Sequence, residues 1–164
     1  MKIHLVIGPM FSGKSSFLFR KINECKNVGK RILVINHTND SRCGDEIKTH
    51  DSLRHSALKV SNLDDIDNSF INEANVIIID EAQFFPDIYN FLKKWETYDK
   101  CIYISGLNCD FKRRNFKSIF DIIPLCDKIT KLCAFCSECN NNTPAHFTYR
   151  LTDEEDKIVI GNKD

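Results

Sequence analysis

The amino-acid sequence predicts an α/β fold, in which a parallel β-sheet is flanked by helices and followed by a small β-rich lobe. Three observations predict it. Short apolar segments alternate with segments of helical periodicity along most of the chain. The first apolar segment runs directly into a glycine-rich loop and a helix. Val76–Ile79 is an unbroken β-branched run, which is typical of a central parallel strand buried on both faces.

The N-terminal part of the chain has the order strand, loop, helix, strand. Residues 3–7 predict a short buried strand, and the residues from Ser15 onward predict a helix that stops near Gly29. Residues 31–35 predict the second strand. This order is the usual beginning of a parallel α/β sheet.

The middle of the chain continues the alternation after a long polar segment. Residues 36–56 show no sustained period, which predicts a functional loop on the ligand side of the sheet. Residues 57–60 predict a short strand, and residues 63–75 predict an amphipathic helix. Pro86 suits the first turn of another helix, and residues 101–105 predict a further strand.

The loop after the first predicted strand, residues 8–15, matches the pattern G-x-x-x-x-G-K-[ST] at every fixed position. Its glycines let the main chain close around an anion, and the start of the helix directs partial positive charge at phosphates. We expect Lys14 to reach the β- and γ-phosphates and the Ser15 hydroxyl to hold Mg²⁺. A glycine turn that matches by chance is disfavoured because both flanking elements fit. The predicted nucleotide site comprises Gly8, Pro9, Met10, Phe11, Ser12, Gly13, Lys14 and Ser15.

Two carboxylates directly follow the buried run Val76–Ile79. Ligands of open α/β sheets bind at this carboxyl edge of the strands. We therefore predict that Asp80 lies on the magnesium side of the site and that Glu81 is the general base. The alternative is a solvated strand end, which the phosphate loop in the same short chain disfavours.

The α/β pattern weakens after Pro124, where cysteines and asparagines become frequent. We divide the chain into residues 1–127, the α/β nucleotide-binding domain, and residues 128–164, a small β-rich, zinc-ribbon-like lobe. Cys136 and Cys139 have the spacing of half a tetrahedral zinc site. Cys133 and His146 could complete it, so structural Zn²⁺ stays open.

Composition limits the classes of partner. Lysine plus arginine and aspartate plus glutamate number 23 each, so non-specific binding of nucleic acid is not favoured. No apolar run approaches the length of a membrane span. The chain has eight cysteines, but an N-terminal phosphate loop favours a reducing compartment. We expect a soluble, cytoplasmic protein that acts on a small molecule, without nucleic acid or membrane.

Three segments, residues 8–15, 80–87 and 131–139, resemble in their order the thymidine kinases of the cellular and poxvirus type. Residues 38–42 and 49–51 fit the same pattern, and the resemblance covers nearly the whole chain. A phosphate loop alone indicates only a nucleotide, whereas this combination is specific. The implied fold is the parallel sheet of P-loop NTPases.

The resemblance implies an ATP-dependent thymidine kinase that transfers the γ-phosphate of ATP to the 5′-hydroxyl of thymidine with Mg²⁺. It implies that Glu81 takes the hydroxyl proton and that the enzyme is a homotetramer. It places Asp40, Arg42 and Gln83 with the phosphates. The backbone around Val159 and Ile160 would read the edge of the base. The implied walls of the nucleoside pocket are Met10, Phe84, Leu107, Phe111 and Phe116, although phenylalanines taken singly are more often core residues.

The sequence departs from the family pattern in two places. The family has L-D-G-T-F-Q-R-K-P-F where residues 107–116 read L-N-C-D-F-K-R-R-N-F, so a glycine and a proline are replaced. We expect phosphoryl transfer to persist while base specificity changes. The family also continues past Ile-Gly-Gly with a tyrosine and a second C-x-x-C, whereas this sequence ends at Asp164. The expected result is a raised KM for thymidine, a near-normal KM for ATP and mobile final residues.

Two other functions compete with the kinase. One is a small P-loop ATPase stimulated by nucleic acid, because Asp80–Glu81–Ala82–Gln83 resembles the D-E-A-x box of helicases. Against it, the chain is too short for a second lobe and has no basic, aromatic strip for a strand. The other is a nucleotide-binding paralogue without kinase activity. ATP turnover with and without thymidine or nucleic acid separates the three.

Overall fold

The computed structural model describes residues 1–40, 46–48, 54–139 and 141–150. Its strands are β1 (Lys2–Gly8), β2 (Ile32–His37), β3 (Glu46–Lys48), β4 (Arg54–Ser56), β5 (Leu58–Val60), β6 (Val76–Ile79), β7 (Cys101–Leu107), β8 (Lys128–Lys131), β9 (Ala134–Phe135) and β10 (Pro144–Ala145). Its α-helices are α1 (Lys14–Asn27), α2 (Asn68–Glu73), α3 (Ile88–Trp95) and α4 (Lys117–Ile122). Short 3₁₀ turns lie at Leu63–Asp65, Ala82–Phe84 and Ile123–Leu125.

Six strands form one sheet in the order β5-β2-β6-β7-β1-β8, and every neighbouring pair is parallel. The α/β prediction is therefore confirmed. Strand β7 lies between β1 and β6, in register with both. The phosphate loop after β1 and the carboxylates after β6 consequently meet at the same edge, one strand apart.

Strand β6 is buried on both faces of the sheet, as its β-branched run predicts. Ile77 and Ile79 point into a core with helices α3 and α4, whereas Ile78 points into a second core with α1. All four residues of β6 are buried. Each buried aliphatic side chain contributes roughly 1.5–3 kcal/mol, so this strand anchors the edge that carries the site.

The ends of several elements differ from the sequence prediction. The predicted helix 63–75 is a 3₁₀ turn followed by α2, because Asp67 caps a new helix by accepting a hydrogen bond from the Ser69 amide at 2.8 Å. The polar segment 36–56 contains the end of β2 and the antiparallel pair β3–β4. Three-residue strands are too short to show a period in the sequence.

Strand β8 belongs to the main sheet, where it pairs with β1. The first residues of the predicted lobe, 128–131, therefore lie in the α/β sheet, and the boundary between 127 and 128 remains a prediction. Within the described part of that lobe, β9 and β10 form an antiparallel pair. No helix among the described residues is long and apolar enough to cross a membrane.

Candidate phosphoryl-transfer site

The phosphate loop connects the end of β1 to the first residue of α1. Gly13 adopts the left-handed conformation with φ 83°, which favours glycine, and the helix begins at the next residue. Ser12 Oγ donates a hydrogen bond to the Pro9 carbonyl at 2.8 Å. The loop is therefore closed by its own groups, and the N-terminal amides of α1 are directed towards it.

Lys14 is buried, with only 8% of its surface exposed. Its Nζ donates hydrogen bonds to the carbonyls of Pro9 at 2.7 Å and Gly8 at 3.2 Å. These bonds hold the ammonium group against the loop instead of in solvent. A buried cation in this place fits the β- and γ-phosphates of a nucleotide.

The Asp80 carboxylate accepts hydrogen bonds from Ser15, Glu81 and Ser105, which lie in different elements. Its Oδ2 accepts from Ser15 Oγ at 3.4 Å, and its Oδ1 accepts from the Glu81 amide at 2.9 Å. Ser105 Oγ on β7 also donates to Oδ1. The carboxylate and the Ser15 hydroxyl together offer the hard oxygen ligands that Mg²⁺ prefers, so these residues fit the ion.

The backbone turns sharply at Glu81, which has φ 54° and ψ 43°. A left-handed conformation costs a residue with a β-carbon about 1–3 kcal/mol and is often found at functional sites. Gln83 Nε2 donates to Glu81 Oε2 at 2.6 Å, while the Leu107 amide donates to Gln83 Oε1 at 3.1 Å. The carboxylate of Glu81 is thereby tied through Gln83 to the end of β7.

Gly106 makes this arrangement possible. A β-carbon at this position would lie 2.5 Å from Ile119 Cδ1 and 3.1 Å from Gln83 Oε1. Any larger residue would therefore require the Ile119 side chain on α4 or the Gln83 carboxamide to shift.

Asp40 lies at the end of the turn that follows β2 and is 7% exposed. Asn36 Nδ2 donates to its Oδ2 at 3.0 Å, and Lys59 Nζ donates to its carbonyl at 2.5 Å. The predicted partner Arg42 lies outside the described residues.

The predicted nucleoside walls occupy different environments. Met10 is half-buried, and its amide donates to Thr148 Oγ1 at 3.0 Å. Phe84 stacks on His37 with ring centroids 5.3 Å apart. Phe116 is 4% exposed and belongs to the main core. Leu107 packs beside that core and Phe111 is half-buried, whereas Val159 and Ile160 lie outside the described residues.

Sequence reasoning missed several residues that the fold brings to the site. Ser105 is a polar residue inside an apolar strand, and that contrast could have identified it. His37 and Asp110 are also buried polar groups, although their segments carry no pattern that predicts burial. Thr148 lies 138 residues from Met10, and no local pattern could have paired them.

The cysteines of the lobe form no complete metal site among the described residues, where no group of three or more possible ligands occurs. Hydrogen bonds from the backbone and thiol of Cys139 lower the pKa of the Cys136 thiol. The two predicted zinc ligands therefore lie close together, while Cys133 and His146 are exposed.

Comparison with known proteins identifies the family to which the sequence is similar. The family model described as "Thymidine kinase" matches residues 1–164. The chain is 38% identical over 163 residues to the thymidine kinase of Myxoma virus (strain Uriarra), covering 99% of the chain and 90% of that protein. It is 39% identical over 162 residues to the thymidine kinase of Sheeppox virus (strain KS-1), with the same coverage of 99% and 90%. For the thymidine kinase of Vaccinia virus (strain Western Reserve), the identity is 38% over 162 residues, again with 99% and 90% coverage.

Proposed function

The chain belongs to the thymidine kinase family, and we propose that it transfers the γ-phosphoryl group of ATP to the 5′-hydroxyl of thymidine. The observation that carries this proposal is the Glu81 carboxylate. It is held by Gln83 at the sheet edge that also carries the phosphate loop. A base in this place serves an acceptor hydroxyl, which a nucleotide-binding protein without chemistry would not need.

The phosphate loop supplies the donor side of the reaction. Loop amides and the Lys14 ammonium bind the phosphate oxygens and stabilise the charge that shifts to the leaving group. Ser15 and Asp80 would hold Mg²⁺, which when bound neutralises phosphate charge. Asp40 and Arg42 are proposed to lie near the transferred group.

Glu81 supplies the acceptor side. Its carboxylate takes the proton from the 5′-hydroxyl as the 5′-oxygen forms a bond to the γ-phosphorus. The bond between that phosphorus and the bridging oxygen breaks, and ADP leaves with the electron pair. Gln83 holds one oxygen of this carboxylate in place by donating to Oε2.

The nucleoside is proposed to lie against Met10, Phe84, Leu107, Phe111 and Phe116, with the backbone of Val159 and Ile160 at the base edge. Zinc at Cys136 and Cys139, a homotetramer, a cytoplasmic location and the lack of a nucleic-acid partner also remain proposals. They are supported by the family resemblance, the C-x-x-C spacing and the balanced charge.

The test is formation of ADP and thymidine monophosphate from ATP, Mg²⁺ and thymidine, with 5′-deoxythymidine as the matched substrate that lacks the acceptor. We expect both products with thymidine and neither with the analogue. ADP that forms equally without thymidine, or that increases only with single-stranded DNA, would identify an ATPase. ATP binding without any turnover would identify a non-catalytic relative.

A further inference from the structure

The loop that follows β7 forms a tight turn although residues 108–116 contain neither glycine nor proline. The Asp110 amide donates to the Arg114 carbonyl at 2.9 Å, and the Arg113 amide donates to the Asp110 carbonyl at 3.0 Å. Arg113 has φ 61°, a left-handed conformation that is costly for a residue with a β-carbon. Something other than backbone preference must stabilise this turn.

The Asp110 carboxylate provides that stabilisation. Its side chain is completely buried, and its Oδ1 accepts from the Lys112 amide at 2.9 Å and the Arg114 amide at 2.8 Å. Its Oδ2 accepts from Arg114 Nε at 2.8 Å. Burial alone would raise the pKa of Asp110, but the hydrogen bonds from Arg114 and Lys112 lower it below its usual value. The ionised carboxylate is therefore the central acceptor of the turn.

The turn formed by residues 108–116 contacts a second segment, residues 147–150. The Arg113 guanidinium lies 4.3 Å from the centre of the Phe147 ring, and the Arg150 guanidinium lies 3.8 Å from the centre of the Phe111 ring. These two pairs are reciprocal, since each segment contributes one cation and one ring. Between them, Thr148 accepts the hydrogen bond from the Met10 amide of the phosphate loop.

We propose that Asp110 is a positioning residue for the nucleoside pocket. Its buried carboxylate determines the turn that glycine and proline shape in relatives of the family pattern, and through Phe111 and Arg113 it fixes residues 147–150 against the phosphate loop. The inference rests on the proposed function, because Phe111 is a wall of the pocket only if a nucleoside binds there. The proposal is that one carboxylate orders a wall of the nucleoside pocket that does not contact the phosphates.

The first test compares three variants by steady-state kinetics in both substrates. Asp110→Ala removes every acceptor, and we expect the KM for thymidine to rise about tenfold because the ligand must now order the turn. The KM for ATP and kcat at saturating thymidine should stay within about twofold. Asp110→Asn keeps an oxygen for both backbone amides and should behave nearly as the wild type, because the half-exposed Arg114 side chain can turn to solvent. Arg114→Met removes only the Nε contact and should also have a small effect.

The second test does not depend on kinase activity. Lys112, Arg113 and Arg114 are three consecutive exposed trypsin sites in the turn. We expect Asp110→Ala to be cleaved there at least several times faster than the wild type and Asp110→Asn to be cleaved at nearly the wild-type rate. If Asp110→Ala does not fold, Asp110→Ser, which retains one acceptor oxygen, takes its place.

The outcomes separate the two proposals. If the wild-type chain does not phosphorylate thymidine, the proposed function is wrong. Trypsin cleavage and thymidine binding measured by calorimetry would still test the positioning role of Asp110. Unchanged cleavage and an unchanged KM for thymidine in Asp110→Ala would overturn the positioning role. So would an equal rise in the KM values for both substrates, because that is the pattern of general destabilisation.

Discussion

The phosphate half and the proposed nucleoside half of the site are built in different ways. In the phosphate half, Asp80 and Glu81 directly follow β6 and Lys14 begins α1, and hydrogen bonds hold all three side chains or their neighbours at the sheet edge. In the nucleoside half, two loops are held by the carboxylate of Asp110 and by reciprocal contacts between arginine and phenylalanine. We infer that the groups proposed to react depend on the sheet, whereas the proposed recognition of the nucleoside depends on loops that can change without disturbing it.

We infer from this separation that residues 107–116 can differ from the family pattern without changing the groups proposed for phosphoryl transfer. The halves are joined by the Leu107 amide, which donates to Gln83, which in turn donates to Glu81, and by the Met10 amide, which donates to Thr148. Leu107, the last residue of β7, is thus hydrogen-bonded through Gln83 to the proposed base. Changes beyond it should affect recognition of the nucleoside more than the transfer step.

The largest expected effect is in the phosphate half. Glu81→Gln should lower kcat by about 10²–10⁴, because the amide keeps the shape of the side chain but accepts no proton. ATP affinity by calorimetry should be almost unchanged. The matched control is Glu73→Gln at the exposed end of α2, which should retain full turnover. If Glu81→Gln keeps more than about a tenth of wild-type kcat, the base has been misassigned.

The next effect concerns nucleotide binding. Lys14→Ala should weaken ATP binding about 10- to 100-fold, since hydrogen bonds to a charged group contribute roughly 1.5–3 kcal/mol. Thymidine affinity should change much less if the two halves are independent. Calorimetry with each ligand measures this, with the exposed Lys26→Ala in the last turn of α1 as control. An equal loss of both affinities would show that the halves are coupled through the loop.

The smallest effect is on stability, near the proposed nucleoside wall. His37 Nδ1 accepts from the Asn39 amide at 2.9 Å and Nε2 donates to the Ser61 carbonyl at 3.0 Å, so the ring is neutral with its proton on Nε2. Burial lowers the pKa of His37 below 6.5, against the opposing effects of the Ser61 carbonyl and Asp87. The folded protein therefore binds this proton less readily than the unfolded chain does.

The contribution of His37 to the free energy of unfolding should consequently be fully present above pH 6.5. It should decline as the pH falls below that value, by at most about 1.4 kcal/mol per pH unit. Urea unfolding at pH 7.5, 6.0 and 5.0 measures the slope. His37→Gln should reduce that slope, while His55→Gln on β4 should leave it unchanged. Identical slopes for wild type and His37→Gln would show that His37 does not cause the pH dependence of stability.

The sequence predicted the phosphate half because its determinants are local. Gly13, Lys14 and Ser15 lie within one motif, and the β-branched run of β6 both marks a buried strand and ends at the two carboxylates. The roles of Glu81 and Asp80 remain predictions, but the fold brings both to the expected edge. That outcome follows from the parallel order of the strands, which the alternation of elements predicts.

The nucleoside half could not be predicted in this way. The contact of Thr148 with Met10 and the pairs that join Phe111 and Arg113 to residues 147–150 connect distant parts of the chain. The replacement of glycine and proline predicted a changed loop, but only the buried side chain of Asp110 shows how the turn is closed. An aspartate next to basic residues is an ordinary surface pattern, so its burial had no signal in the sequence.

The position of β7 between β1 and β6 has a consequence for the size of the site. Neighbouring strands are about 4.8 Å apart, so the two strands that carry the phosphate loop and the carboxylates are separated by roughly 10 Å, with Ser105 between them. The separation of the two strands is therefore a multiple of a backbone spacing, which mutation of side chains does not alter. Side chains change only what lies between the strand ends. A residue larger than serine at position 105, which is fully buried and donates to Asp80, would press on that carboxylate while leaving every motif of the sequence intact.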